Sequence, residues 1–143
     1  MDTIRTCISF QASTAAKVIA KLSRTRLVDH GVTPIQFAVL QAVSEIENQT
    51  SADIGAALMI DSATIVGVID RLAAMELLAR EPHLSDRRIK QLVLTERGEK
   101  QLPAMQAAMD ALNSELDATL DQSAREVRNS LQRLAKLTES LKG

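Results

Sequence analysis

The stretch Asp61–Leu94, DSATIVGVIDRLAAMELLAREPHLSDRRIKQLVL, decides the fold, because three kinds of local order follow one another within it. Asp61 is a good helix N-cap: its carboxylate can accept hydrogen bonds from the unpaired amides of a first turn. Ile60 before the cap and Ile65 beyond it form a hydrophobic staple. Ile65, Val68, Ile69 and Leu72 recur at helical spacing and make one apolar face. The opposite side carries Ser62, Ala63, Val66, Gly67 and Asp70, small or polar, with Thr64 and Arg71 on its flank. Small residues there let the backbone approach another body closely. Leu77–Glu81 predicts a short strand, His83–Arg88 a polar tip, and Ile89–Leu94 a returning strand.

Working outward, Thr50-Ser51-Ala52-Asp53 predicts a capped short helix, with Ile54, Ala57 and Leu58 turned inward and Met59-Ile60 as the tight turn after it. Residues 51 to 76 then form a helix-turn-helix pair. With the hairpin behind it, this is the winged form of that motif. Upstream, a helix is expected from about Cys7 to Val28, ended by His30-Gly31. Thr33 caps the next one, Pro34 stands at its first position, and Ile35, Phe37, Ala38, Leu40, Val43 and Ile46 are its apolar set, as far as Asn48. Downstream, Thr95 caps a long helix on which Leu102, Met105, Met109, Leu112, Leu116 and Leu120 make a heptad-like seam. Pro103 falls in its second turn, where a lost amide costs less than deeper inside. After a corner at Asp121-Gln122-Ser123, a last helix carries Val127, Leu131, Leu134, Leu137 and Leu141. These terminal helices exceed what one small core needs, and their apolar surplus predicts a homodimer built from both chain ends.

Composition agrees with a mainly helical chain bearing a small β-hairpin. Of 143 residues 45% are hydrophobic and 1% aromatic, with three prolines, enough for one domain with a real core. One cysteine, Cys7, excludes an internal disulfide and a cysteine-based zinc site. No apolar run reaches bilayer length and the first residues lack a secretory signal, so a cytoplasmic, membrane-free protein is expected. No metal-ligand spacing, Ser-His-Asp set or glycine-rich phosphate loop occurs, which argues against an enzyme and predicts no metal or cofactor. The formal net charge of −1 argues mildly against a nucleic-acid partner, but local field matters more than the sum. Between Asp86 and Lys100, Arg87, Arg88, Lys90, Arg97 and Lys100 stand against Asp86, Glu96 and Glu99, while Glu45, Glu47, Asp110, Glu115, Asp117 and Asp121 lie elsewhere.

Four blocks in order, Asp61-Ser62-Ala63-Thr64, Val68-Ile69-Asp70-Arg71-Leu72, Asp86-Arg87-Arg88 and Leu94-Thr95-Glu96-Arg97-Gly98, resemble the MarR family of bacterial transcription regulators, as does Thr33-Pro34-Ile35-Gln36-Phe37. With the flanking helices, the resemblance covers nearly the whole chain. It implies a single MarR-like domain over 1–143, with the winged helix-turn-helix at about 33–97 and dimerisation helices at about 7–29 and 98–142. It also implies a dimer on a pseudo-palindromic double-stranded operator, repressing its own and a neighbouring operon until a small aromatic acid or phenol releases it. Ser62, Thr64, Val66, Gly67 and Arg71 would enter the major groove. Asp86 would orient Arg87 and Arg88, one of which reaches the minor groove. An effector carboxylate would meet Lys21, Arg24, Arg26 and His30, its ring Phe10 or Phe37.

Two departures from the family pattern stand out. Val66 and Gly67 occupy positions where relatives often carry Thr and Arg, which shifts discrimination toward DNA shape and the tip. Glu76 replaces the glycine that usually precedes the first strand, predicting a rearranged helix end. Two rival functions are a redox-sensing regulator using Cys7, although the chain has no tyrosine to hold a thiolate, and a protein-interaction module that ignores DNA.

Overall fold

The helices begin where the cap chemistry puts them in the computed structural model, which describes residues 3–140. A single turn, α1 (Thr3–Thr6), precedes α2 (Ile8–Leu27), whose N-cap is Cys7. A 3-10 turn at Val28–His30 and a left-handed Gly31, φ 73°, end it. At the start of α3 (Pro34–Glu45) the Gln36 amide donates to Thr33 Oγ1 and the Thr33 amide donates back to Gln36 Oε1. Thr50 and Asp53 make the same reciprocal pair for α4 (Ser51–Leu58), so aspartate serves as the third-position partner. Met59, φ 56°, turns the chain in the left-handed conformation, and Asp61 then caps α5 (Ser62–Ala74) by accepting from the Thr64 amide at 2.9 Å.

Strands β1 (Leu78–Pro82) and β2 (Lys90–Leu94) pair antiparallel, with Leu78 opposite Leu94 and Pro82 opposite Lys90. Each starts one residue later than the sequence pattern suggested, for a definite reason. The Leu77 amide is taken by Leu72 O at 3.0 Å in closing α5, and the Ile89 amide by Asp86 O at 3.0 Å in closing the tip. On its other side β2 is fastened by the Leu92 amide, which donates to Gln49 O at 2.8 Å.

The chain divides into two compact units, Met1–Met109 and Asp110–Gly143. In the first, Leu27, Leu40, Ile54, Ile65, Ile69, Leu72, Leu77 and Met105 are buried together with Val39. Each such side chain contributes about 1.5–3 kcal/mol of transfer free energy. Two inward assignments are corrected. Ile46 is exposed at the end of α3 and Val39 takes the core position, because the inward stripe runs Gln36, Val39, Leu40, Val43. Ala57 is exposed while Gly55 is buried, since a Cβ there would press on Ile60 O and the Ile65 side chain. Helix α6 (Glu96–Leu120) is capped by Thr95 Oγ1, which accepts from the Gly98 amide at 3.0 Å. Gly98 is obligatory: a Cβ would stand 2.2 Å from the Leu77 carbonyl oxygen.

In the second unit, Leu112 is buried and a 3-10 turn at Asp121–Ser123 makes the expected corner, with Asp121 left-handed at φ 52°. The last helix is broken into α7 (Ala124–Ala135) and α8 (Leu137–Ser140). Leu131, Leu134 and Leu137 are exposed, and Leu141 lies outside the described residues. Among the described residues no single helix is long and apolar enough to cross a membrane.

Candidate nucleic-acid interface

Helix α5 presents two unlike sides. Ile65, Val68, Ile69 and Leu72 are buried, and the residues expected to face outward, Ser62, Thr64, Val66, Gly67 and Arg71, are all exposed. The amphipathic pattern alone dictates this orientation. Nothing lies within 4 Å of where a Gly67 Cβ would stand, so that face is open at its centre. One polar group there is already engaged: the Thr64 hydroxyl donates to Asp61 Oδ2 at 2.6 Å. Its oxygen lone pairs remain for an incoming donor, whereas its hydrogen does not. The hydrogen bonds from Thr64 hold the Asp61 carboxyl below the usual carboxylate range.

At the hairpin tip the chain turns on Asp86. The Arg88 amide and Nε each donate to Asp86 Oδ1 at 3.1 Å, and Nη2 donates to Oδ2 at 3.2 Å. This two-pronged contact fixes the guanidinium while leaving the Arg88 side chain 90% exposed. The same bonds depress the Asp86 pKa. Arg87 is exposed and makes no ion pair among the described residues. Among the described residues the tip thus holds one arginine oriented by an acid and one without such a partner. His83 accepts the Ser85 amide at Nδ1, at 3.2 Å, and so shapes the turn. Among the described residues no group of three His, Cys, Asp or Glu is placed to hold a metal ion.

Two residues that sequence reasoning did not single out tie the helix to the hairpin. Arg80 on β1 donates to Asp70 Oδ1 on α5 at 2.6 Å. The signal was present as an acid on the helix and a base on the strand, but their separation follows no helical or strand period. Glu76 corrects the expectation of a rearranged helix end. It keeps the left-handed conformation, φ 60°, and the end closes as a Schellman motif, with the Glu76 amide on Ala73 O and the Leu77 amide on Leu72 O. Its cost is offset by the Thr95 hydroxyl, which donates to Glu76 O, and by Arg97, which lies 3.5 Å from its carboxylate.

The residues expected to meet an effector are less gathered. Phe10, Lys21 and Arg24 are exposed along α2, Arg26 and His30 are half-buried near its end, and Phe37 is half-buried against the core. Cys7 is exposed, with Sγ 3.2 Å from Ser9 Oγ. The Ser9 side chain, then the Phe10 and Ser9 amides of the opening turn of α2, pull the thiol pKa down.

The MarR family model matches residues 32–90, the segment holding α3 to the hairpin tip. The HTH-type transcriptional repressor NicR of Pseudomonas putida is 39% identical over 77 residues, 54% of this chain and 49% of that protein. The chain spans about half the length of the curated relatives it matches. CouR from Rhodococcus jostii RHA1, solved bound to p-coumaroyl-CoA, is similar at a TM-score of 0.85 and 26% identity, covering 94% of this chain and 96% of that one. A probable transcriptional regulator from Pseudomonas aeruginosa is similar at a TM-score of 0.83 and 30% identity, over 91% and 98% of the two chains.

Proposed function

The chain belongs to the MarR family of transcription regulators, and from that premise we propose that it is a homodimeric repressor released from its operator by an aromatic acid or phenol. Family membership makes it a DNA-binding regulator and not an enzyme. The observation that carries the finer reading is the open outer face of α5 together with the Asp86-oriented Arg88 at the tip. Ser62, Thr64, Val66, Gly67 and Arg71 would enter the major groove. Val66 would offer only apolar contact to a thymine methyl. Arg88 would enter the minor groove with the Nη1 donors that its contact to Asp86 leaves over, and Arg87 would neutralise a phosphate.

A dimer is supported by apolar side chains left in solvent in each unit. Ile8, Val18, Ile19 and Leu22 are exposed on α2, and Leu131, Leu134 and Leu137 on α7 and α8. A second copy covering them would place two reading helices about 34 Å apart, one turn of DNA. The aromatic effector draws support from CouR, which carries p-coumaroyl-CoA, and a repressing role from NicR. Lys21, Arg24, Arg26 and His30 would hold its carboxylate, with Phe10 or Phe37 against its ring.

The test is fluorescence anisotropy on DNA from upstream of the protein's own gene, against scrambled DNA, across salt. Selective binding that weakens steeply with salt, and that aromatic acids reverse, is expected. Equal binding to both DNAs would defeat the operator reading. Unchanged affinity with aromatic acids would defeat the effector reading alone.

A further inference from the structure

A second binding place lies away from the reading helix. A cavity of about 540 Å³ opens between the last turn of α3, strand β2 and the first turns of α6. Its volume falls within the range of small-molecule sites. Every residue lining it belongs to the first unit. Leu92, Leu102 and Pro103 supply an apolar side, and Leu84 reaches it from the hairpin.

Its polar side is unusual in what it offers. The Ser44 hydroxyl donates to Gln41 O at 2.7 Å, and Gln106 Nε2 donates to Gln41 Oε1 at 2.8 Å. The Ser44 hydroxyl hydrogen and one of the two Gln106 amide hydrogens are therefore committed to Gln41, which does not line the cavity. Glu47 and Glu99 line it as well, and neither makes an ion pair among the described residues. Gln91, which also lines the cavity, is 7% exposed, and its Oε1 has no hydrogen-bond partner. A buried acceptor left unpaired is costly, and native structures hold few of them. The lining thus has an excess of acceptors, two negative charges and an apolar wall. A ligand that completes it brings N–H donors, a positive charge and an apolar body.

We propose that this cavity binds a small organic cation, an amidinium or ammonium on an apolar frame, through Glu47, Glu99 and Gln91. Charge excludes the aromatic acids proposed above, so the two ligand classes use different places. Because β2 and Leu84 form part of the wall, an occupant braces the hairpin against α3 and α6.

Three compounds of nearly one shape test this on the full chain: benzamidine (cation), benzamide (neutral) and benzoate (anion). Amide chemical shifts of Gln91, Leu92 and Gln106 are followed by NMR, with affinity from calorimetry. Benzamidine is expected to shift all three, and to bind at least about tenfold more tightly than benzamide, the factor a charge-assisted hydrogen bond supplies. Benzoate should leave them unmoved. The double variant Glu47→Gln, Glu99→Gln should lose about tenfold in benzamidine affinity with an unchanged melting temperature, both side chains being exposed. Absence of shifts with benzamidine overturns the proposal, as does equal binding of benzoate or undiminished affinity in the double variant. No DNA is involved, so this result is independent of the operator reading.

Discussion

At Gly98 a Cβ would stand 2.2 Å from the Leu77 carbonyl oxygen, whereas at Gly67 it would meet nothing within 4 Å. The first glycine belongs to the junction where α5 ends, β1 begins and α6 starts. The second belongs to the outer face of α5. At the junction, Leu77 accepts the Thr95 amide through its carbonyl while its own amide closes α5, Thr95 donates to Glu76, and Gly98 closes on the same carbonyl. Each atom has one available place. On the outer face the side chains end in solvent and only the inner stripe is fixed. The difference separates residues that hold α5 in place from residues free to contact another molecule.

The largest effect should come from closing the tight side. Gly98→Ala is expected to cost about 3 kcal/mol, since backbone and not a flexible side chain must move. A urea midpoint within error of the parent's would show that the junction yields. On the open side, Arg88→Ala should lower DNA affinity by about tenfold or more with stability unchanged. Arg87→Ala should weaken all sequences alike and reduce the salt slope by about 1. Anisotropy against salt reads both, and identical behaviour of the two variants would remove the distinction drawn from the Asp86 fork.

Smaller effects sharpen the contrast. Glu76→Gly should stabilise by about 1 kcal/mol, because it relieves a left-handed non-glycine residue and gives up only an exposed ion pair. Gly67→Ala should gain somewhat less than about 1 kcal/mol from helix propensity, with no steric penalty. Thermal melts of the two variants decide this, and a loss in either would mean that its site is tighter than its geometry. Acidification should act last and least. Asp53, Asp61 and Asp86 have depressed pKa values because backbone and side-chain donors hold the ionised form. Their stabilisation is full above the unfolded carboxylate value near about 4 and is lost as pH falls through the lower folded values. Asp61→Asn, which can still cap α5, should flatten part of that loss in urea midpoints measured below about pH 4.

Local chemistry was legible wherever a residue's role depends on near neighbours. Thr33, Thr50, Asp61 and Thr95 cap as read, and Gly31 turns the chain as read. The outward face of α5 followed from the spacing of four apolar residues. The inward side of α4 was less legible: Ala56 and Ala57 give its pattern no preference between two faces, and buried Gly55 carries no apolar side chain to mark one. Ile46 misled because its side chain continues an apolar stripe that the helix no longer carries at its C-cap. The sequence gives no period that joins Asp70 to Arg80, or Gln91 to Glu47 and Glu99 across three elements. Such partners become visible only when the chain is folded. Glu76 shows the reverse limit: the cost of its conformation was legible, but the contacts that offset it lie about twenty residues away.

The end of β1 has a consequence for the protein in a crowded cell. Among the described residues β2 is β1's only strand partner, which leaves β1 at an edge of the hairpin. A bare edge strand can recruit strands from other chains and seed aggregates. This one ends in Arg80, Glu81 and Pro82: two charges that resist desolvation and a ring that removes one donor from the row. The short strand that leads into the hairpin tip is therefore a poor template for its own aggregation.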